Sequence, residues 1–264
     1  MDLQWLEQSE ADVPADDSWL GPGEVRCLAQ MRFPKRRADW RLGRWTAKCA
    51  VAVCLDRAGP FADIEIRAAA SGAPEVFYQN RPAAVTISIS HRAGVACCAA
   101  TDRVAAVGCD LEFVEPRSRA FVADYFTVEE RALIADVALP AQPRALALFW
   151  SAKESALKAL GVGLRADTRS VSVKCPAVST LLSSEFGGWC PMTVCHAGDE
   201  LYGWWHSSGP LVRTLVTVPL LRPRFCSVAM AIHSNPTANK NDDRGSGTGA
   251  GAVTTRGLSA VLLK

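Results

Sequence analysis

The chain has 264 residues, 49% of them apolar, with 29 Lys and Arg against 27 Asp and Glu for a formal net charge of +2. That is long enough for one large domain or two modest ones, too apolar for a disordered protein, and too nearly neutral for a dedicated nucleic-acid binder. No apolar run reaches bilayer-spanning length, and Met1 to Asp17 is acidic where a secretory leader is basic, so a soluble, cytoplasmic protein without a membrane partner is expected. The 10 cysteines include no Cys-x-x-Cys pair and read as reduced, mostly buried thiols.

In chain order, residues 1–30 are mixed, with Pro14, Gly21, Pro22 and Gly23 marking turns. A helix is expected from shortly after Pro34 to about Leu55, basic on one side through Lys35, Arg36, Arg37, Arg41, Arg44 and Lys48. Such a run is usually a solvated face, but arginine forks also suit a phosphate cradle. Short strands follow at Ile64–Ile66, Val85–Ser90, Val95–Ala100 and Val107–Glu112, with a turn at Ser71 to Pro74. Ser90 and His91 stand where one alternating strand ends. Asp110 and Glu112 are two apart on another strand, so their carboxylates share a face and repel unless a cation or proton lies between them. That is a hard-cation site in outline, with magnesium the candidate where phosphates share it.

Phe121 to Asp136 reads as a helix with a Thr127-Val-Glu-Glu130 capping box inside it or at a restart. Pro140 and Pro143 precede a second long helix, whose stripe of Leu146, Trp150, Leu157 and Leu160 carries Glu154 and Lys158 beside it. Gly161 and Gly163 stop it. Strands at Ser170–Lys174, Pro191–His196, Leu201–His206, Leu211–Val218 and Phe225–Ile232 imply a largely antiparallel sheet. From 234 to 264 the composition is that of a disordered tail. One echo crosses the chain: Trp45-Thr-Ala-Lys48 and Trp150-Ser-Ala-Lys153 lie on the two long helices. It implies an α+β protein of two similar α/β halves, residues 1–106 and 107–233, packed as an intramolecular pseudo-dimer.

Two motifs, Gly108-Cys-Asp-Leu-Glu112 and Trp150-Ser-Ala-Lys-Glu-Ser-Ala-Leu-Lys158, stand about forty residues apart, with Ser90-His91 and the basic helix upstream. Together they resemble the 4′-phosphopantetheinyl transferases of the larger, pseudo-dimeric class (the surfactin-synthetase-activating and enterobactin-synthase-component type). The resemblance implies transfer of phosphopantetheine from coenzyme A to a serine of an apo carrier protein, releasing 3′,5′-ADP. It implies magnesium on Asp110, Glu112 and Glu154, with Glu154 also the best candidate for the base, and Lys158 stabilising the diphosphate. It further implies coenzyme A contacts from Ser90, His91, Arg36, Arg37 and Lys48. A monomer suffices for such a pseudo-dimer. The chain departs from the pattern at Arg92, where the family often has serine, and at Ala73-Pro74, where a basic residue often precedes the proline; one nucleotide contact is then either missing or supplied by Arg81. Carrier proteins are commonly acidic, so Arg117 and Arg119 or the basic helix are expected to dock one. The alternative is a non-catalytic coenzyme A or carrier-protein binding module on the same fold.

Overall fold

The computed structural model describes residues 2–56, 59–103, 105–174 and 188–226. The expected tail at 234–264, and the far end of the expected Phe225–Ile232 strand, lie outside them. In chain order the elements are β1 (Asp2–Ser9), α1 (Pro22–Ala29), α2 (Pro34–Leu55), β2 (Ile64–Ala68), β3 (Pro74–Tyr78), β4 (Arg81–Pro82), β5 (Thr86–Arg92), β6 (Val95–Thr101) and β7 (Ala106–Phe113). They continue with α3 (Arg119–Tyr125), α4 (Val128–Ala135), α5 (Gln142–Ala159), β8 (Val171–Lys174), β9 (Cys190–His196), β10 (Asp199–Ser208), β11 (Leu211–Val218) and β12 (Arg222–Phe225). The fold is mixed α+β. Among the described residues no helix is long and apolar enough to cross a membrane.

The sheets run β12-β1-β6-β5, β7-β11-β10-β9-β8 and β2-β3-β4. All pairings are antiparallel except β1 with β12. Strand β12 therefore returns from the end of the described chain to the first sheet, crossing the division drawn at residues 106 and 107. Alternation sorts the side chains by face. Leu6, Cys98 and Ala100 join α2 in one core, whereas Trp5, Cys97 and Ala99 meet Cys109, Leu111 and Leu215 of the second sheet in another. A third core lies under α5. The order is helix, sheet, sheet, helix.

Two local differences from the sequence reading have simple causes. Residues 1–30, read as mixed turns, contain β1 and α1: Pro22 at the helix start and Glu24 reaching back to the Gly21 N–H at 3.0 Å set the start of α1. The segment from Phe121 to Asp136 is two helices, because Thr127 takes an extended backbone and caps a new one, with Glu130 closing the box.

The halves repeat one construction. Lys48 of α2 and Lys153 of α5 are each 0% exposed. Lys48 pairs with Glu24 at 2.5 Å and donates to the carbonyls of Trp19 and Phe61. Lys153 pairs with Glu130 at 2.8 Å and donates to the carbonyls of Thr168 and Val171. Glu24 also accepts from the Ile66 N–H of β2, and Glu130 from the Val173 N–H of β8. Burial pulls both lysine pKa values down, and the paired glutamate opposes it. Each trio ties a capped helix, a long helix and an edge strand together. Its charges are matched and its remaining bonds filled, which is what permits an ion pair this deep.

Candidate functional site

The motif strand β7 lies between the second core helix and the first half's β5. Val107, Cys109 and Leu111 face the inter-sheet core, so Gly108, Asp110 and Glu112 face α5. A side chain at Gly108 would run into the Ser155 carbonyl and the Ala159 amide. The glycine is thus what lets α5 lie against the strand and bring Glu154 and Lys158 to the two carboxylates. Strand β5 closes the other side: the Ser88 hydroxyl accepts from the Cys109 N–H at 2.9 Å, and the Ser90 hydroxyl donates to Asp110 Oδ1 at 2.7 Å.

Asp110 is 3% exposed. Its Oδ1 takes Ser90 and, at 2.9 Å, the Lys158 ammonium, which also donates to the Cys109 carbonyl. Its Oδ2 is buried and has no partner. Glu154 lies across from it with one ion contact, to Lys158 at 3.8 Å. Burial, then the charge of Asp110, push the Glu154 carboxyl up to about 7, with Lys158 pulling the other way. Burial and Asp110 likewise raise Glu112. Lys158 is raised in spite of its burial, chiefly by Asp110. An unpartnered carboxylate oxygen beside a carboxyl that resists ionisation fits a hard divalent cation, which would supply the missing charge. Among the described residues, however, no three His, Cys, Asp or Glu side chains converge as a ready metal cage. Glu112 has both oxygens engaged: its Oε1 accepts from the Trp150 indole at 3.0 Å and its Oε2 from Arg117 at 3.0 Å.

Beside this cluster are two adjoining cavities, of about 410 and 240 Å³, that share Gly72, Pro74 and Ile89. The first reaches Lys158 and the Gly161–Gly163 turn, and the second is walled by Trp40, Arg44, Arg67 and His91. Both glycines hold positive φ, 70° and 55°, so the chain after α5 turns along the cavity instead of across it.

Of the residues expected to touch a nucleotide, Ser90 and His91 stand at this site, the first on Asp110 and the second in the cavity wall. Lys48 does not. It is enclosed in the Glu24 pair, and reading its charge as part of a basic outer face was wrong because α2 turns that position into the core. Arg37 is also turned elsewhere: it donates to the carbonyls of Leu28 and Met31 and lines a separate cavity with Arg41. Arg36 is exposed and lines none of the cavities described here. The basic residue that reaches His91's cavity is Arg44, stacked over Trp40 at 5.0 Å, with its buried Nε unpartnered and its pKa lowered by burial. Helical spacing carried that signal, since Trp40, Gly43 and Arg44 form one face, the one that meets Ile89 and His91. Arg67 fills the wall near Ala73-Pro74, where the contact was expected to be missing or supplied by Arg81. Arg92, the departure from the family's serine, crosses to Glu112 and Glu115.

Comparison with known proteins agrees with the motif strand and its helix. Residues 106–196 match the family model of the 4′-phosphopantetheinyl transferase superfamily. Among solved structures it is similar to Helicobacter pylori holo-[acyl-carrier-protein] synthase in complex with coenzyme A. The identity is 18%, over 38% of this chain and 97% of that one, with a TM-score of 0.29. No curated protein sequence matches.

Proposed function

We propose that the chain transfers 4′-phosphopantetheine from coenzyme A to a serine hydroxyl of an apo carrier protein, with magnesium, releasing 3′,5′-ADP. In this reading the two similar halves form an intramolecular pseudo-dimer working as a cytoplasmic monomer. The match of residues 106–196 to the superfamily model supports phosphopantetheinyl transfer in general. The observation that carries the finer reading is the buried, unpartnered Asp110 Oδ2 facing a Glu154 carboxyl held near 7.

Asp110, Glu112 and Glu154 form an acidic wall, and Asp110 and Glu154, the two with oxygen uncommitted, are the residues that would hold magnesium. The ion supplies charge neutralisation and alignment for a diphosphate. Glu154 is the residue that takes the proton of the attacking serine. The serine oxygen then bonds to the phosphorus bearing pantetheine, and the bond to 3′,5′-ADP breaks. Lys158 fixes Asp110 and keeps a positive charge at the cavity edge. Ser90 orients Asp110, while His91 and Arg44 receive the 3′-phosphate, arginine's fork suiting that oxyanion.

The test is mass spectrometry of an apo carrier incubated with the protein, coenzyme A and magnesium, beside Glu154→Gln. A phosphopantetheine-sized mass gain restricted to wild type with magnesium is expected. No gain on any of a panel of carriers, with coenzyme A still bound, selects the non-catalytic binding module.

A further inference from the structure

The carboxylates of the proposed cation site are unequally free. Asp110 keeps one buried oxygen open and Glu154 makes a single 3.8 Å contact. Glu112 has both oxygens taken: the Trp150 indole holds Oε1, and Arg117 at 3.0 Å and Arg92 at 3.6 Å share Oε2. The arginines are themselves fixed. Arg92 bonds Glu115 at 2.5 Å, Arg117 bonds it at 3.0 Å, and the Arg117 guanidinium lies 5.0 Å over the Phe121 ring. Arg92 belongs to β5 and Glu112 to β7, so the network ties the first half to the second at the rim of the site.

Charge decides what this network does. Two guanidiniums match Glu112 and Glu115, and Lys158 matches Asp110, which leaves Glu154 as the carboxylate without a matching cation. Moving Glu112 onto a dication would strip it from two arginines and set three positive groups around one carboxylate. Resting on the transferase reading above, we infer that Glu112 is a positioning residue and not a metal ligand in this chain. It holds Arg92 and Arg117 at the rim, where their charge faces the anionic co-substrate, while Asp110 and Glu154 take the cation. Arg92 is then the residue that sets Glu112 apart, a role that the serine common at its position cannot fill.

Mn²⁺ is the probe, its binding followed by the loss of the free-ion electron paramagnetic resonance signal in the presence of coenzyme A. Asp110→Asn and Glu154→Gln should each weaken Mn²⁺ binding by about tenfold or more, and Glu112→Gln by less than about threefold. Glu112→Gln should instead raise the Michaelis constant for coenzyme A, and Glu112→Gln with Arg92→Ala should be no worse than Arg92→Ala alone. Should Glu112→Gln fold poorly, Arg92→Ala/Arg117→Ala frees Glu112 from the other side and should tighten Mn²⁺ binding. Loss of Mn²⁺ in Glu112→Gln comparable with that in Asp110→Asn, or no tightening in the double arginine variant, overturns the inference. A wild type that binds no Mn²⁺ overturns the cation reading itself, and this one with it.

Discussion

At matching places on α2 and α5, Lys48 and Lys153 are equally buried against a capping glutamate, yet the next residue is Cys49 in one helix and Glu154 in the other. The strand registers extend the match. Ser9 pairs with Val95 beside one hairpin turn and Phe113 with Leu211 beside the other. This sets Leu6 at Asp110's place, Gln8 at Glu112's, and Val53 at Lys158's. Gln8 donates weakly to the Cys49 sulfur at 3.9 Å, and its Oε1 and the Trp45 indole are both left unpartnered where Glu112 and Trp150 bond. The buried lysine–glutamate pair and the strand register thus recur around α2 and α5, while the ionisable set stands only beside α5. Residues shared by the halves hold the fold, and residues that differ are the candidates for chemistry.

The largest effect should fall on what the halves share. Glu24→Ala or Glu130→Ala leaves a buried lysine unpaired, and each should cost about 3–5 kcal/mol in urea denaturation. A large loss from only one would break the equivalence. Next comes the difference between the helices: Glu154→Gln should lower kcat/KM for carrier modification about a hundredfold, near 2.7 kcal/mol. Its counterpart Cys49→Ala should leave that rate within about twofold, since Cys49 is buried in the other core.

Gly108→Ala, whose register counterpart Gln4 carries a full side chain, should push α5 off β7 and destabilise by about 1–3 kcal/mol. Thermal melting together with lost activity would register it; an unchanged midpoint would deny the close approach.

A smaller effect follows from the Glu154 carboxyl. Its folded pKa of about 7 lies above its ordinary 4.5, so the folded state binds the proton more tightly. Stability of the cation-free protein should therefore fall as pH rises from about 4.5 to 7 and level off above. In EDTA, Glu154→Gln should lose that slope and be the more stable protein at pH 8, by roughly 2–3 kcal/mol. Wild type gaining stability from pH 5 to 8 would contradict the assignment. Least of all, the Cys49 thiol, pushed up to about 12 by burial, should resist alkylation at pH 8 while exposed Cys27 reacts first, as peptide mass mapping would record.

Much of the site was legible because its parts are local. The i and i+2 carboxylates of β7 and the Glu154–Lys158 pair need only strand and helix periodicity to be placed. The helix expected from shortly after Pro34 to about Leu55 follows from a proline start and a run of helical spacing, and the structure has α2 over Pro34–Leu55. Lys48 was misread because a lysine in a basic run looks solvated until a partner is known, and Glu24 is distant in sequence on an unrecognised helix. Arg92 and Arg117 were opaque for the same reason: their partner, Glu112, was accounted for as a metal ligand.

By itself the sequence determined the periodic elements, the paired motifs and the repeated Trp-x-x-Lys segment, since each is written in spacings of a few residues. Only the tertiary structure decided which charges are free. Whether a carboxylate meets a lysine, an arginine or nothing depends on contacts between β5, β7 and α5, which chain spacing does not encode. Asp110 and Glu154 were left open by that packing and Glu112 was taken up by it, while Lys48 was taken up by Glu24 of α1.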